Sequence, residues 1–329
     1  MSFLTQSLVL DGLTLRNRVF LAPMSGVSDL PFRQRCWAAG AGMVVSEMVA
    51  SAELCKGIKE SHIRLENAGL PQHIVQLAGC ETEWIARAAC IAVDYGAHMI
   101  DINMGCPAKK VTGGASGAAL MRDVKNAMKL IESVIKVVQV PVSVKMRLGW
   151  DEYSINAPTL AFQAQQAGVS MITVHGRTRM QFYQGEANWD AIKAVRDKIT
   201  IPLVVNGDIC NRHDADKAIR ACGADAVMIG RATCGQPWLF SFINKSTFNH
   251  PLSTYIKDHY ISMLNHYGDK IGLRHARKHL GWYLEKHAPT ALQSHKYALL
   301  TETDPRLVLS LIDEIFAISS KNVVTSTTW

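Results

Sequence analysis

Eight consecutive residues, Asn103-Met104-Gly105-Cys106-Pro107-Ala108-Lys109-Lys110, place an amide, a thiol and two ammonium groups on one short turn after the largely apolar stretch Met99-Ile100-Asp101-Ile102. Gly105 gives that turn backbone freedom and Pro107 restricts it. A thiol has a reference pKa of about 8.5, so near neutrality it is mostly protonated and can donate a proton unless its site makes it a thiolate. The plainer alternative is a small buried hydrophobe beside a solvated charge pair. The surroundings of Cys106 decide between them.

A second group of residues converges by periodicity. In a strand, successive side chains alternate between faces. Over 142–147, Val142, Val144 and Met146 share one face, and Ser143, Lys145 and Arg147 share the other. The same reading opposes Ile172 and Val174 to Thr173 and His175, and Val75 and Leu77 to Gln76. If the apolar faces pack on helices, Gln76, Asn103, Lys145, His175 and Asn206 all point inward. Any one inward Gln, Asn or His is often just a satisfied core residue. Lys145 differs, because an enclosed ammonium is costly unless paired, so it faces either a bound anion or Asp101. Five polar groups near strand ends favour a ligand site over coincidence.

The elements that must carry these groups alternate along the chain. Short β-branched runs at 19–24, 43–46, 74–77, 99–103, 142–146, 171–175, 203–206 and 226–229 are separated by helical segments. The clearest helix starts at an N-cap, Asp123, and puts Val124, Ala127, Met128, Ile131, Val134, Ile135 and Val138 on one face. Glycines at 42, 96, 168 and 223 end helices and lead into strands, and Pro141 and Pro202 stand at strand starts. Eight strands with intervening helices give an α/β TIM (β/α)8 barrel rather than a doubly wound sheet. After about Ser241 the alternation stops, so we expect a barrel over 1–248 and a small all-helical domain over 249–329.

Barrels often hold phosphate in the loops after their last two strands. Here those loops are Asn206-Gly207-Asp208 and Gly230-Arg231. The pattern Gly113-Gly114 with Gly117 is no dinucleotide fingerprint, because it follows the fourth strand with the wrong spacing. Phosphate at one end, a lysine in the middle and a thiol at the mouth suit a flavin mononucleotide, although spacing alone admits other phosphorylated cofactors.

The whole chain sets outer bounds. With 329 residues, 48% of them hydrophobic, it holds one large α/β domain and an appendage. The formal charge of +7 permits an anionic partner without requiring one. No run of 18 apolar residues predicts a membrane span, and the first residues lack a secretory pattern. Eight cysteines show neither a C-x-x-C pair nor metal spacing, so we expect no metal, reduced thiols and a cytoplasmic protein. No feature points to a protein partner.

Several motifs together resemble tRNA-dihydrouridine synthases. They are Ala22-Pro23-Met24-Ser25-Gly26-Val27-Ser28-Asp29, Val75-Gln76-Leu77-Ala78-Gly79, Asp101-Ile102-Asn103-Met104-Gly105-Cys106-Pro107, Lys145-Met146-Arg147, His175-Gly176-Arg177-Thr178 and Asn206-Gly207-Asp208-Ile209. Pro31-Phe32-Arg33 and Ala108-Lys109-Lys110 are similar to the bacterial B-type branch, and the likeness continues into Arg274-His275-Ala276-Arg277-Lys278-His279 and Trp282-Tyr283-Leu284. Ser25 stands where that branch would have alanine.

The resemblance implies an FMN-dependent, NADPH-linked reduction of the uridine C5–C6 bond in tRNA, with the D-loop as target. By that likeness Pro23, Met24 and Ser25 line the flavin, and Gln76, Lys145 and His175 contact its ring. Asn206, Gly207, Asp208, Gly230 and Arg231 hold its phosphate end. Cys106 protonates C5, Asn103 orients the uracil, and Lys109, Lys110 and Arg177 join the substrate side. Arg274, Arg277 and Lys278 share one helical side and would meet the tRNA backbone; His275 and His279 lack a third metal ligand. Three other readings stay open: a flavin barrel for a small substrate, a non-redox phosphate-binding barrel, and an RNA-binding module with a vestigial pocket.

Overall fold

A computed structural model describes residues 3–67 and 69–317. The described residues form two compact units, one drawn from the stretches up to 29 and 41–230, the other from 30–40 and 231–317.

The first unit is a parallel barrel. Its strands are β3 (Val19–Leu21), β4 (Met43–Val44), β5 (Val49–Ala50), β6 (Ile74–Ala78), β7 (Met99–Met104), β8 (Val142–Arg147), β9 (Met171–His175), β10 (Leu203–Asn206) and β11 (Ala226–Ile229). They pair in the order β4-β3-β11-β10-β9-β8-β7-β6-β5. The two ends of that order are halves of one interrupted strand. Val45 bridges in parallel to Ile74, and the Ser46 N–H donates to the Ile74 carbonyl at 3.0 Å, so the sheet closes into eight positions. This is the TIM-type topology the alternation predicts. The break at 46–48 is what the sequence pattern does not show.

Register sets the mouth. Gln76 pairs with Asp101, Asp101 with Ser143, Asn103 with Lys145, Arg147 with His175, and His175 with Asn206. Because side chains alternate, these residues share the inner face while their neighbours Ile102, Val144, Met146 and Val174, all fully buried, pack outward. The expected N-cap is present: the Asp123 side chain accepts from the Asn126 N–H at 3.0 Å, and Ala127, Leu130, Ile131 and Val134 form the buried face of that helix.

The opposite end of the barrel is plugged by an antiparallel hairpin, β1 (Leu8–Leu10) and β2 (Leu13–Leu15), which the sequence reading missed. Leu8, Leu10 and Leu15 pack in one cluster with Phe20, Met43, Ile74, Met99, Met171, Val204, Ala226 and Met228. Gly96, Gly168 and Gly223 take positive φ as expected, but before β4 it is Gly40 at φ +100, not Gly42, that does so. Gly42 is needed for space instead, since a Cβ there would overlap the Asn17 backbone.

The second unit begins earlier than the break expected at residue 249 and includes a helix from the barrel sequence, Leu30–Ala38. That helix buries Leu30, Phe32, Arg33 and Cys36. Arg35 Nη2 donates to Ser262 Oγ at 3.2 Å, and Ser241 Oγ donates to the Ala39 carbonyl at 2.8 Å. Helices Leu252–Tyr267 and Asp269–His287 form a pair about Gly268, and Gly272 lets them approach, because a Cβ there would lie 2.6 Å from the Met263 carbonyl oxygen. Trp238 is fully buried and stacks on Phe248 at 4.9 Å.

Candidate active site

The inner face of β6, β7 and β8 carries a continuous line of hydrogen bonds. Ser143 Oγ donates to Asp101 Oδ1 at 2.5 Å, and Gln76 Nε2 donates to Asp101 Oδ2 at 2.7 Å. Gln76 Oε1 accepts from Asn103 Nδ2 at 2.8 Å. Asn103 Oδ1 in turn accepts from the backbone N–H groups of Gly105 (3.2 Å) and Cys106 (3.0 Å). Asn103 is thus occupied in holding the thiol-bearing turn, which differs from the expected role of orienting a substrate. Burial pushes the Asp101 carboxyl above the usual carboxylate range, opposed by its bonds to Ser143 and Gln76 and by the charge of Lys145.

Lys145 stands beside Asn103 in the register, half-buried, and donates from Nζ to Asn206 Oδ1 at 3.0 Å. Its other two N–H groups have no hydrogen-bond partner among the described residues. Burial lowers its pKa, while the nearby carboxyl of Asp101 works the other way. Asn206 is fixed from its far side by donating to the Met228 carbonyl at 2.8 Å. His175 is buried next to Asn206, with its ring edge-on to Tyr183 at 6.5 Å.

The turn after β10 is left-handed at two successive residues, Gly207 (φ +120) and Asp208 (φ +54). Arg177 explains why Asp208 tolerates this. Its Nη1 and Nη2 donate to the two Asp208 carboxylate oxygens at 3.0 and 2.5 Å, and Asp208 also accepts from the Ala187 N–H at 2.8 Å. Arg177 is 1% exposed and donates further to the Gln184 and Gly185 carbonyls. Arg177 and the Asp208 carboxylate thus engage each other in shaping the turn. Gly230 follows β11, where a Cβ would lie 3.4 Å from Met24 Sδ. Arg231 is exposed and opens the 3-10 turn Arg231–Thr233 of the other unit.

The loop after β3 is tied in place by a residue no spacing rule selected. The buried Glu47, in the strand break, accepts from the Gly26 N–H, and Ser28 Oγ accepts from the Met24 N–H at 2.8 Å. Pro23 and Met24 are half-buried there and Ser25 is exposed at the turn.

Cys106 is half-buried and its loop is braced on several sides. Arg147 Nε donates to the Gly105 carbonyl at 2.9 Å, and its Nη1 donates to the Thr178 (2.8 Å) and Phe182 (2.9 Å) carbonyls. The Ala118 N–H donates to the Cys106 carbonyl at 3.0 Å, and Gly117 sits at φ +61 against it. The short helix Lys109–Gly113 follows, with Lys109 and Lys110 exposed at its start. Arg179 Nη2 reaches Thr112 Oγ1 at 3.3 Å and lies over the Trp150 ring at 4.7 Å. Asp101, Ser143 and Arg147 were legible as inward residues by their step of two, but their partners were not.

In the helical unit, Arg274 is exposed and Lys278 half-buried on helix Asp269–His287. Arg277 is a correction to the basic face: its Nη2 donates to the carbonyls of Thr301 (3.0 Å) and Glu302 (3.2 Å), the last groups of helix Gln293–Thr301. His275 stacks on Tyr267 at 4.6 Å. His279 is buried against Phe32 (5.3 Å) and His259 (4.7 Å), and His259 Nδ1 lies 3.0 Å from the Tyr283 hydroxyl. Burial, aided by nearby cations and the facing imidazole, holds His259 well below its usual pKa, and burial with Lys278 does the same to His279. Among the described residues no group of three His, Cys, Asp or Glu side chains could hold a metal ion.

Fold and site together define an α/β barrel with a thiol and a half-buried ammonium at the C-terminal mouth of its strands. The dihydrouridine synthase (Dus) profile matches residues 20–311. A probable tRNA-dihydrouridine synthase of Rhizobium leguminosarum bv. phaseoli is 54% identical over 298 residues, spanning 90% of this chain and 94% of its own. The tRNA-dihydrouridine synthase B of Pseudomonas aeruginosa is 45% identical over 281 residues, 82% of this chain and 85% of its own. The chain belongs to the dihydrouridine synthase family. Among solved structures, TcOYE with pHBA matches with a TM-score of 0.56 at 13% identity, over 81% of this chain and 98% of its own. Morphinone reductase matches at 0.54 and 16%, over 76% and 93%. At those identities the likeness concerns the barrel fold. No helix among the described residues is long and apolar enough to cross a membrane.

Proposed function

We propose that the chain reduces the C5–C6 double bond of a uridine in the D-loop of tRNA, using FMN and NADPH, with Cys106 as the acid. The observation that carries this reading is Lys145: an ammonium inside a ring of strands, with one hydrogen bond to Asn206 and two N–H groups without a partner among the described residues. Such a group calls for an electron-rich partner. The donor set suits a flavin mononucleotide, with Gln76, Lys145 and His175 toward the ring, Pro23, Met24 and Ser25 along its edge, and the turns at Gly207 and Gly230 toward the phosphate. When bound and reduced by NADPH, the flavin supplies hydride chemistry.

The chain's own part is to hold and to protonate. Reduction at C6 of the uracil leaves negative charge at C5 and O4, and the Cys106 Sγ–H gives its proton to C5. The thiolate left behind then takes a proton from solvent. General acid catalysis of this kind contributes about 10²–10⁴-fold. The uridine must leave its stack to reach the mouth, at a cost of a few kcal/mol. Recognition then rests on tRNA shape and backbone, to which the exposed Lys109, Lys110 and Arg274, with Lys278, bring positive charge.

Cys106→Ala tests the reading. The variant should purify yellow and bind tRNA as the parent does, yet lose turnover by about 10²–10⁴-fold. Undiminished dihydrouridine formation would remove Cys106 from the reaction. A colourless parent protein, or reduction of free pyrimidines without tRNA, would overturn the cofactor or the substrate.

A further inference from the structure

We propose that Asp101 is a positioning residue that acts through Gln76 and Asn103 to fix the backbone N–H groups of Gly105 and Cys106, and with them the thiol. The inference deepens the function proposed above and rests on it only for the role of the thiol.

Donor and acceptor polarity fixes each link of the line. Backbone N–H groups can only donate, so at the loop end Asn103 must present Oδ1 to Gly105 and Cys106. Its Nδ2 is thereby turned to Gln76 Oε1, and the other amide hydrogen of Asn103 points to Met48 Sδ at 3.8 Å. Gln76 must then present Nε2 at its opposite end, where Asp101 Oδ2 accepts. Each amide has only one workable orientation, and the carboxyl at one end selects the same orientation as the loop at the other. Ser143 secures the remaining Asp101 oxygen, and its hydroxyl can donate or accept, so the sense of the line survives protonation of the carboxyl. Asp101, Gln76 and Ser143 are each no more than 2% exposed, so water does not stand in for a lost partner.

A set of merely satisfied buried groups would tolerate loss of any one member similarly. A polarised line makes a different prediction, because its sense can be reversed by swapping its ends. Asp101→Asn keeps an acceptor toward Gln76 and should be nearly silent. Asn103→Asp removes the donor toward Gln76 and sets two acceptors face to face. In the double variant D101N/N103D, the carboxylate introduced at position 103 accepts from the loop and from a turned-over Gln76. The amide introduced at position 101 then donates to Gln76 Oε1, so every group is matched again.

The test uses the flavin-loaded protein above the carboxyl titration range. Two readouts need no turnover: hydrogen exchange at the Gly105 and Cys106 amides, and the urea-derived folding constant. N103D should speed exchange and lower the folding constant about tenfold each, the expected scale for one opposed buried pair. D101N should leave both within about threefold, and D101N/N103D should bring both back, with turnover recovering alongside. A double variant as impaired as N103D, or an N103D variant indistinguishable from the parent, would overturn the proposal. Full turnover by Cys106→Ala would cancel the acid assignment, while the exchange pattern would still decide the relay.

Discussion

Arg147 donates from Nε to the carbonyl oxygen of Gly105 at 2.9 Å, one residue before the thiol, so a barrel strand holds the loop from below. The same guanidinium gathers the Thr178 and Phe182 carbonyls and lies 5.5 Å from the Tyr183 ring centre. Burial lowers its pKa to about 10, partly offset by Tyr183, and it stays charged at neutral pH.

Arg147→Met keeps the bulk and strands three carbonyls. We expect a loss of about 1–3 kcal/mol in urea unfolding. Turnover should fall more than tRNA affinity, because the loop rather than the surface is released. Equal stability of variant and parent would show that the three bonds contribute nothing net.

Gly117→Ala probes the thiol from the other side. A Cβ at this position would lie 2.9 Å from the Cys106 carbonyl oxygen and from Val111 Cγ1, at φ +61. We expect a cost of about 1–3 kcal/mol and a drop in turnover without loss of flavin colour. An alanine variant with parental kinetics and stability would mean the loop can move aside freely.

Lys145 gives a pH prediction. Its pKa in the folded protein lies below the ordinary 10.5, so the folded state releases this proton at lower pH than the unfolded chain does. An anionic ligand relies on the ammonium, so flavin release on alkaline titration should begin below 10.5 and be absent near neutrality. Lys145→Met should purify without flavin while remaining folded. Full flavin occupancy in that variant would refute the pairing.

The histidine pair in the helical unit gives one of opposite consequence. His259 and His279 have folded-state pKa values well below 6.5, and Arg35 and Lys278 are the cations facing them. Above 6.5 both are neutral folded or unfolded, and the stability is fully present. As pH falls past about 6.5 the unfolded chain takes up protons first, so stability drops by up to about 1.4 kcal/mol per histidine per pH unit. Urea midpoints of the parent should fall accordingly, and His279→Met should flatten the profile.

On the basic helix, Arg277→Ala should lower stability by about 0.5–1.5 kcal/mol through the lost cap and leave the salt dependence of tRNA binding unchanged. Arg274→Ala with Lys278→Ala should reduce the slope of log K against log salt by about 0.7–0.9 for each phosphate no longer neutralised. A reversed pattern in filter-binding measurements would return Arg277 to the nucleic-acid face.

Much of the barrel was readable because its signals are local. The proline at 202, the cap at Asp123 and the β-branched runs each act within a few residues, and each structural strand lies close to its predicted place. The period of two likewise put Gln76, Asn103, Lys145, His175 and Asn206 on the inner face. What could not be read was the partner each side chain takes once the strands align. Arg177 was expected on the substrate side and Arg277 on the tRNA backbone, and both engage groups brought near only by folding: Asp208 in the turn after the neighbouring strand, and carbonyls at the end of another helix. Asn103 looked substrate-facing until register set Gln76 behind it and Cys106 ahead. The helix Leu30–Ala38 gave no warning that it packs with the last helices, since its sequence follows the first strand in normal order.

The hairpin under the barrel has a consequence for biosynthesis. Leu8 and Leu10 precede every barrel strand in the chain, yet part of the surface they cover, including Ala226 and Met228, is made roughly two hundred residues later. Until then three leucines have no complete seat. A hairpin made ahead of all the strands it seals thus completes its packing only after the last of them.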